Sequence, residues 1–267
     1  MIGHLPTIHC MNTIDLSGKV AVVFGVANHR SIAWSITSIL KGAGATVALS
    51  YQNERLKKSL DKLTAGWDQP VLVECDVSED SNIEKAFQEI SGKLGKIDIV
   101  VHSIAFANRE DLGGRFVDTS RAGFNLALEI SSYSLLPITK YAAEHMPQGG
   151  NIITMSFQAA EKVFPGYNVM STAKAALENE VRQLAHDVGP QNIRVNAISA
   201  GPVDTLSSRV IAGYSGMKRA AAERSPLGKN ITTEDVAKTA LYLCSDLSSG
   251  VTGEVIHVDS GYHVMGI

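Results

Sequence analysis

Short apolar segments alternate with amphipathic stretches along most of this chain. The apolar segments are nearly continuous in valine, isoleucine and alanine, which is typical of strands covered on both faces of a parallel sheet. Seven such strands are predicted, at residues 19–24, 46–50, 71–75, 97–102, 151–155, 194–198 and 254–258. Helices are predicted between them, at residues 32–41, 54–63, 83–94, 121–145, 167–188 and 234–247. This alternation predicts an α/β fold with a doubly wound, mostly parallel seven-stranded sheet.

One segment interrupts the alternation. Residues 206–224 are rich in alanine, glycine and serine, and they predict a helix broken at Gly213 and Gly216. We expect this segment to be a mobile lid. Because no linker or repeat divides the rest, we expect a single domain over residues 15–267, preceded by an N-terminal extension over residues 1–14.

Composition narrows the classes of partner. With 267 residues, 45% of them hydrophobic, the chain can bury a sizeable core. A formal net charge of −3 predicts no binding to nucleic acid or to an anionic membrane, and no apolar run is long enough to predict a membrane span. Three widely spaced cysteines predict reduced thiols and a cytoplasmic protein. The histidines show no metal-ligand spacing, so we expect no metal site.

Tyr167 and Lys174 are the strongest candidates for chemistry. They lie seven positions apart, two turns along one helix face and roughly 10 Å in axial rise. From there they reach opposite ends of a nicotinamide riboside lying across the helix start. The ammonium would hold the ribose hydroxyls, and its charge would favour a phenol that hydrogen-bonds a developing oxyanion. Since this spacing also occurs by chance, the hypothesis depends on the surrounding motifs.

The turn after the first predicted strand has the features of an anion site. Gly25 leaves the strand and Ser31 caps the helix that begins at Ile32, so free N–H groups and the helix dipole converge there. The spacing is not G-x-G-x-x-G, because Ser31 and Ala33 stand where further glycines are expected. An ordinary strand–helix turn is the alternative.

The ends of the second and third strands carry polar residues suited to an adenosine. Gln52 stands where a carboxylate usually contacts the ribose. It carries no charge, and no arginine or lysine lies at this strand tip to attract a 2′-phosphate, which favours NADH over NADPH. Asp76 suits the adenine amino group, although it can instead cap the following helix.

Together these motifs resemble the short-chain dehydrogenase/reductase superfamily and, more narrowly, bacterial-type enoyl-acyl-carrier-protein reductases. The resemblance covers residues 16–265, nearly the whole chain. It is carried by Gly25-x5-Ser31-Ile32-Ala33, Tyr51-Gln52-Asn53, Cys75-Asp76-Val77, Tyr167-Asn168-Val169-Met170 and residues 101–107, 130–134, 194–202 and 252–259. Common members of the superfamily have tyrosine four residues before the lysine. Here that residue is Met170, which cannot donate a proton, so the reductase spacing is the one present.

The resemblance implies a Rossmann-like fold and reduction of a 2-enoyl thioester on acyl-carrier protein by NADH, the last step of each round of fatty-acid elongation. It implies that Tyr167 stabilises the enolate oxygen and that Lys174 holds the nicotinamide ribose. The residues it assigns to the cofactor are Gly25, Ser31, Ile32, Gln52, Asp76, Val77, Ser103, Ile104, Ala105, Lys174, Val203, Thr205 and Leu206. To the substrate it assigns Ala107, Phe157 and Tyr167, with residues 206–217 closing over the acyl chain. It also implies a homotetramer.

Two residues depart from the family pattern. Phe157 stands where the family commonly has a second tyrosine, so either the ring alone suffices or the substrate preference has changed. A replacement hydroxyl is available from Ser156, Ser171 or Thr172. Asp204 stands where arginine is common, and it either repels a pyrophosphate or has little effect because it is turned to solvent or paired with Arg209.

Other interpretations stay open. His102, at the end of a strand, is either a general base or a packed, hydrogen-bonded residue. The chain is alternatively a reductase of a different enoyl or carbonyl substrate, or a dinucleotide-binding protein with little turnover. The presence of both Tyr167 and Lys174 argues against the last of these.

Overall fold

A seven-stranded parallel sheet forms the centre of this computed structural model, which describes residues 14–206, 208, 211 and 213–266. The strands are β1 (Val20–Phe24), β2 (Thr46–Tyr51), β3 (Val71–Glu74), β4 (Ile99–His102), β5 (Gly150–Ser156), β6 (Ile193–Ala200) and β7 (Val255–Val258). Their order is β3-β2-β1-β4-β5-β6-β7, and every neighbouring pair is parallel. The predicted fold class is therefore confirmed.

Helices cover both faces of the sheet. They are α1 (Ile32–Gly42), α2 (Glu54–Leu63), α3 (Asp80–Leu94), α4 (Arg109–Leu112), α5 (Arg121–Leu128), α6 (Leu135–Glu144), α7 (Asn168–Val188), α8 (Tyr214–Arg224) and α9 (Thr233–Leu243). Alternation along β1 explains the two layers, since successive strand side chains point to opposite faces. Val22 and Phe24 join the core under α3, α6 and α7, whereas Ala21 and Val23 join the core under α1 and α9.

The helix predicted over residues 121–145 is wrong in one respect, because it is divided. A π-helical turn, Glu129–Tyr133, separates α5 from α6, and the Ser134 N–H donates to the Glu129 carbonyl five residues back, at 3.2 Å. Pro137 has no N–H to donate to the Tyr133 carbonyl, so an unbroken α-helix cannot pass this point. The turn also positions Ser131, whose hydroxyl hydrogen-bonds the backbone of Phe106.

The helix predicted within residues 206–224 exists but is not broken at Gly216. Helix α8 begins after Gly213, whose φ of +74° suits glycine, and it continues through Gly216 to Arg224. Glycine inside a helix costs only about 1 kcal/mol relative to alanine, so the break at Gly216 was wrongly predicted. Residues 207, 209, 210 and 212 lie outside the described residues.

The remaining differences concern element ends. Helix α9 ends at Leu243, not at residue 247, and the Ser248 hydroxyl lies within hydrogen-bond distance of the Tyr242 and Leu243 carbonyl oxygens, which closes the chain into a turn. Most of the predicted extension lies outside the described residues, and Ile14 packs against the core. Among the described residues, each helix is too short or too polar to cross a membrane.

Candidate active site

The predicted site residues gather at the carboxyl ends of β1, β4, β5 and β6. Strand β1 lies between β2 and β4, so the winding of the sheet reverses beside β1. At such a reversal the loops after neighbouring strands diverge to opposite faces and leave a crevice that binds ligands in open α/β sheets. Gly25 follows β1, Ser103 follows β4 and Phe157 follows β5 at this edge.

The turn after β1 requires glycine at residue 25. Gly25 has a φ of +90°, and a Cβ atom added there would lie 2.0 Å from the carbonyl oxygen of Ser103. Ser31 caps α1, since its Oγ accepts from the Trp34 N–H at 3.2 Å and donates to the Asn28 carbonyl at 2.8 Å. No acidic residue occupies the first turn of α1, so the helix dipole there favours an anion.

Gln52 and Asp76 meet where β2 and β3 end. The Gln52 amide donates to Asp76 Oδ2 at 3.2 Å, while the N–H and hydroxyl of Ser78 donate to Asp76 Oδ1 at 3.0 and 2.8 Å. Burial opposes ionisation, but these hydrogen bonds outweigh it and lower the pKa of Asp76. Glu79 occupies the N-cap position of α3, without a capping hydrogen bond from its side chain, so the alternative that Asp76 caps this helix is wrong. Val77 is buried beside it.

Tyr167 and Lys174 come from the start of α7. Tyr167 immediately precedes the helix and is partly buried, together with Ala107, against Leu112 and Met170. Lys174 is only 4% exposed, and its Nζ donates to the Met155 carbonyl at 2.7 Å, near the end of β5. An ammonium has three donors, and among the described residues this is its one hydrogen-bond partner.

Burial sets the charge of both groups. It lowers the pKa of Lys174 to about 8, against the opposing effect of the Glu178 carboxylate. It raises the pKa of Tyr167 well above its usual value, and nearby Tyr214 adds to the shift. The phenol therefore stays neutral and able to donate.

Glu178 lies one helical turn beyond Lys174 and was not among the predicted site residues. It is 6% exposed, and its Oε1 accepts from the Ser156 hydroxyl at 2.5 Å. Burial raises the pKa of Glu178, while Ser156 and Lys174 act in the opposite direction. The signal in the sequence was its i, i+4 spacing from Lys174. Ser156 is committed to this carboxylate, so it supplies no free hydroxyl to replace that of a tyrosine at residue 157.

His102 is a packed residue. It is fully buried, with Nδ1 2.8 Å from Thr154 Oγ1 and Nε2 2.9 Å from Ser134 Oγ. Burial, with the charge of Lys174, lowers the pKa of His102 to about 3. Because both ring nitrogens are engaged with hydroxyls and the ring stays neutral, the hydrogen-bonded interpretation holds.

Aromatic rings form one wall beside Tyr167. The Phe157 ring lies edge-on to Tyr167, with centroids 5.1 Å apart, and 4.7 Å from the ring of Phe164. Tyr262 extends the row, 6.5 Å from Phe164. Phe157 thus fills a place in an aromatic wall with its ring alone.

The segment after β4 is held by the π-helical turn. Ser131 Oγ accepts from the Phe106 N–H at 2.9 Å and donates to the Phe106 carbonyl at 3.0 Å. This pair fixes the backbone between Ala105 and Ala107. Ser103 and Ile104 are partly buried and Ala105 is exposed. In the sequence Ser131 stands out only as part of the motif at residues 130–134, because its contact with Phe106 spans 25 residues.

The turn after β6 carries the remaining predicted residues. Val203 is buried and Leu206 is 55% exposed. The Thr205 N–H donates to Ser208 Oγ at 2.9 Å, which tightens the turn. Asp204 is paired with Lys218 of α8. The Arg209 partner considered above lies outside the described residues.

The geometry fits a dinucleotide. Gly25 lets the turn after β1 lie against the Ser103 backbone, and the buried Nδ2 of Asn28 in that turn has no hydrogen-bond partner among the described residues. Lys174, two turns along α7 from Tyr167, has donors not engaged by the Met155 carbonyl. In the part of the chain that is described, no three histidine, cysteine or acidic side chains are placed to hold a metal ion. His4, His9 and Cys10, which could be imagined as metal ligands in the N-terminal extension, lie outside the described residues.

Comparison with known proteins agrees with this geometry. Residues 25–263 match the family model described as "Enoyl-(Acyl carrier protein) reductase". The NADH-dependent enoyl-acyl-carrier-protein reductase of Bacillus cereus is 48% identical over 94% of this chain and 99% of its own. The NADPH-dependent enzyme of Staphylococcus aureus is also 48% identical, again over 94% of this chain and 99% of its own.

Solved structures are similarly close. A crystal structure of the Bacillus cereus enoyl-acyl carrier protein reductase with NADP+ and indole naphthyridinone has a TM-score of 0.93 at 47% identity, covering 96% of this chain and 100% of that one. The enzyme of Anaplasma phagocytophilum in complex with NAD has a TM-score of 0.90 at 44% identity, over 96% and 95% of the two chains.

Proposed function

This chain belongs to the enoyl-acyl-carrier-protein reductase family, and we propose that it reduces trans-2-enoyl thioesters carried on acyl-carrier protein, with NADH as the reductant. A nicotinamide held in this crevice would supply the hydride for the β-carbon of the thioester. Reduction then leaves negative charge on the thioester oxygen, and the protein has to stabilise that charge and deliver a proton.

In this proposal Tyr167 stabilises the oxygen. Its raised pKa keeps the phenol protonated at neutral pH, so the hydroxyl donates to the developing enolate oxygen. The Phe157 ring, edge-on at 5.1 Å, keeps water from one side of the phenol and shapes the substrate wall. Ala107, packed in the same cluster as Tyr167, lines the thioester position.

Lys174 and the turn residues hold the cofactor. Lys174 donates to the nicotinamide ribose with the hydrogen atoms not engaged by Met155. Ser31 and Ile32, at the start of α1, present N–H groups to the pyrophosphate. Ser103, Ile104 and Ala105 form the floor beneath the dinucleotide, and the backbone of Val203, Thr205 and Leu206 meets the carboxamide and pyrophosphate.

We propose NADH as the preferred cofactor because of the adenosine end. Gln52 is neutral and hydrogen-bonded to Asp76, and it can act as a partner for the diol of the adenosine ribose. The neighbouring Asp76 carboxylate would repel the 2′-phosphate of NADPH. Asp76 and Val77 would meet the adenine. Relatives with equal identity use either cofactor, so this preference needs its own measurement.

Acyl-carrier protein is the proposed macromolecular partner, and the proposed assembly is a homotetramer. We place the enzyme in the cytoplasm. Burial raises the thiol pKa of Cys75 and Cys244 to about 12, which suits thiols that stay reduced and unreactive.

The proposal rests on two groups at the start of α7. The Tyr167 phenol is neutral and partly buried, and the buried Lys174 ammonium has one hydrogen-bond partner among the described residues. The proposal is tested by mixing the purified protein with NADH and crotonyl thioester and following absorbance at about 340 nm. We expect loss of absorbance, and a smaller kcat/KM with NADPH. No loss with any enoyl thioester, together with turnover of a ketone, would show a different reductase. Binding of NADH without any turnover would show a dinucleotide-binding protein.

A further inference from the structure

Helix α8 is weakly anchored by its own packing. Of its eleven residues, Ala221 is the one that is buried. A short helix in water is stabilised mainly by burying an apolar face, and α8 buries almost none. A groove of about 640 Å³, lined by Asp204, Gly213, Tyr214 and Lys218 among others, separates it from the turn after β6. Other contacts must therefore hold α8 over the site.

Two side chains of α8 cross this groove. The Tyr214 hydroxyl donates to the Val203 carbonyl at 2.5 Å. Lys218 pairs with the carboxylate of Asp204. Tyr214 and Lys218 are four residues apart, so they share one face of the helix, and their partners are consecutive residues of the turn. The two contacts therefore join one helix face to one backbone segment.

We propose that Tyr214 and Lys218 are positioning residues that fasten α8 to the turn after β6. Helix α8, which would cover the acyl chain, and the backbone of the turn, which would meet the nicotinamide, are thereby kept in a fixed relative position. This inference rests on the proposed function. It also gives Asp204 a role, since its charge is engaged by Lys218 across the groove.

The two fastenings differ in strength. Tyr214 is partly buried, and burial raises its pKa, so the hydroxyl stays a donor at working pH. Its hydrogen bond is shielded from salt. Asp204 is 60% exposed and Lys218 is 29% exposed, so this ion pair is weak and screened by salt.

The test compares Tyr214→Phe and Lys218→Gln with Tyr242→Phe. Tyr242, on α9, has no side-chain hydrogen bond among the described residues, so its variant is a matched loss of one hydroxyl. Amide hydrogen exchange over residues 214–224 is measured on the cofactor-free protein, and KM for crotonyl thioester is measured with saturating NADH.

We expect Tyr214→Phe to raise both the exchange rate of α8 and KM about fivefold to tenfold, the value of one ordinary hydrogen bond. Its kcat should change less than twofold, since the chemistry is untouched. Lys218→Gln should raise exchange about twofold at low salt and have no effect at about 0.5 M salt. Tyr242→Phe should leave exchange and KM unchanged.

Unchanged exchange and KM in Tyr214→Phe, or equal changes in Tyr242→Phe, would overturn the inference. If amide exchange in Tyr214→Phe is faster throughout the molecule because the variant is unstable, Lys218→Gln becomes the deciding variant. Unchanged exchange of α8 in Lys218→Gln at low salt would then overturn the inference. Faster exchange confined to α8 in a protein that reduces no enoyl thioester would support the fastening and contradict the proposed function.

Discussion

Helices α7 and α8 both border the site, yet they are held in opposite ways. Nine of the 21 residues of α7 are buried, including Lys174 and Glu178. These two are bonded to the end of β5, through the Met155 carbonyl and the Ser156 hydroxyl. Helix α8 buries one residue of eleven, and side-chain contacts from Tyr214 and Lys218 attach it to the turn after β6.

In the proposed reaction, this difference matches two separate requirements. Groups that act on the reacting oxygen and on the ribose must be held within a fraction of an ångström, and a buried helix provides that. A cover must admit and release an acyl chain, so it is drawn from the least stable part of the structure. Changes in α7 should therefore reduce rate and cofactor binding, whereas changes in α8 should alter KM.

Within helices α7 and α8, the largest effect is expected at Lys174. Lys174→Met removes the ammonium but keeps an unbranched side chain in the buried site, so the fold should be retained. We expect kcat/KM to fall by about 100-fold or more and NADH binding to weaken, because the ribose loses a charged donor. Fluorescence titration with NADH measures the binding. Lys162→Met, on the exposed turn before α7, is the control, and an equal loss there would contradict the assignment.

The next effect concerns pH. The pKa of Lys174 in the folded protein is lowered to about 8 from 10.5, so NADH affinity should fall up to tenfold per unit as pH rises above about 8. The unfolded chain binds more protons than the folded one between those two values, so the free energy of unfolding should rise with pH across the same window.

Lys174→Arg sharpens this prediction, because a guanidinium does not titrate there. Its NADH affinity should be weaker overall but flat between pH 7 and 10. A wild-type affinity that does not vary over this range, or a variant that keeps the same pH dependence, would show that Lys174 is not the titrating group.

A smaller effect is expected in α8. Gly216→Ala adds a Cβ that meets nothing within 4 Å, inside a regular helix, and should stabilise α8 by about 1 kcal/mol. Hydrogen exchange over residues 214–224 should slow by up to about fivefold. Gly213→Ala, three residues earlier at a φ of +74°, should instead destabilise α8 and speed its hydrogen exchange. If both variants change exchange in the same direction, the start assigned to α8 is wrong.

The smallest effect is expected from Phe157→Tyr. The ring already occupies the aromatic wall beside Tyr167, so an added hydroxyl should change kcat and acyl-chain preference by less than about threefold. Steady-state kinetics with short and long enoyl thioesters measure this. A gain of tenfold or more would show that the missing hydroxyl limits this enzyme and that its substrate preference has changed.

The sheet and the turn after β1 were predictable because their signals are local. Continuous valine and isoleucine marked the strands, and Gly25 and Ser31 were recognisable from strand–turn–helix chemistry alone. Lys174 was identified by its spacing from Tyr167. Each of these inferences depends on residues close together in the chain.

The parts that were missed depend on distant partners. The break before α6 follows from Pro137 and from the hold of Ser131 on Phe106. Glu178 looks like a surface carboxylate until β5 is packed against it. The contact between Asp204 and Lys218 spans 14 residues, and only the path of the intervening turn decides whether they meet.

The role of Tyr167 is tested most directly by measuring NADH affinity and the single-turnover rate of enoyl thioester reduction for Tyr167→Phe beside the wild type. Loss of the phenol hydroxyl should lower the rate by about 100-fold to 1000-fold, with NADH affinity within twofold of the wild-type value. A variant that reduces the thioester at the wild-type rate would contradict the assignment of Tyr167 as the donor to the enolate oxygen.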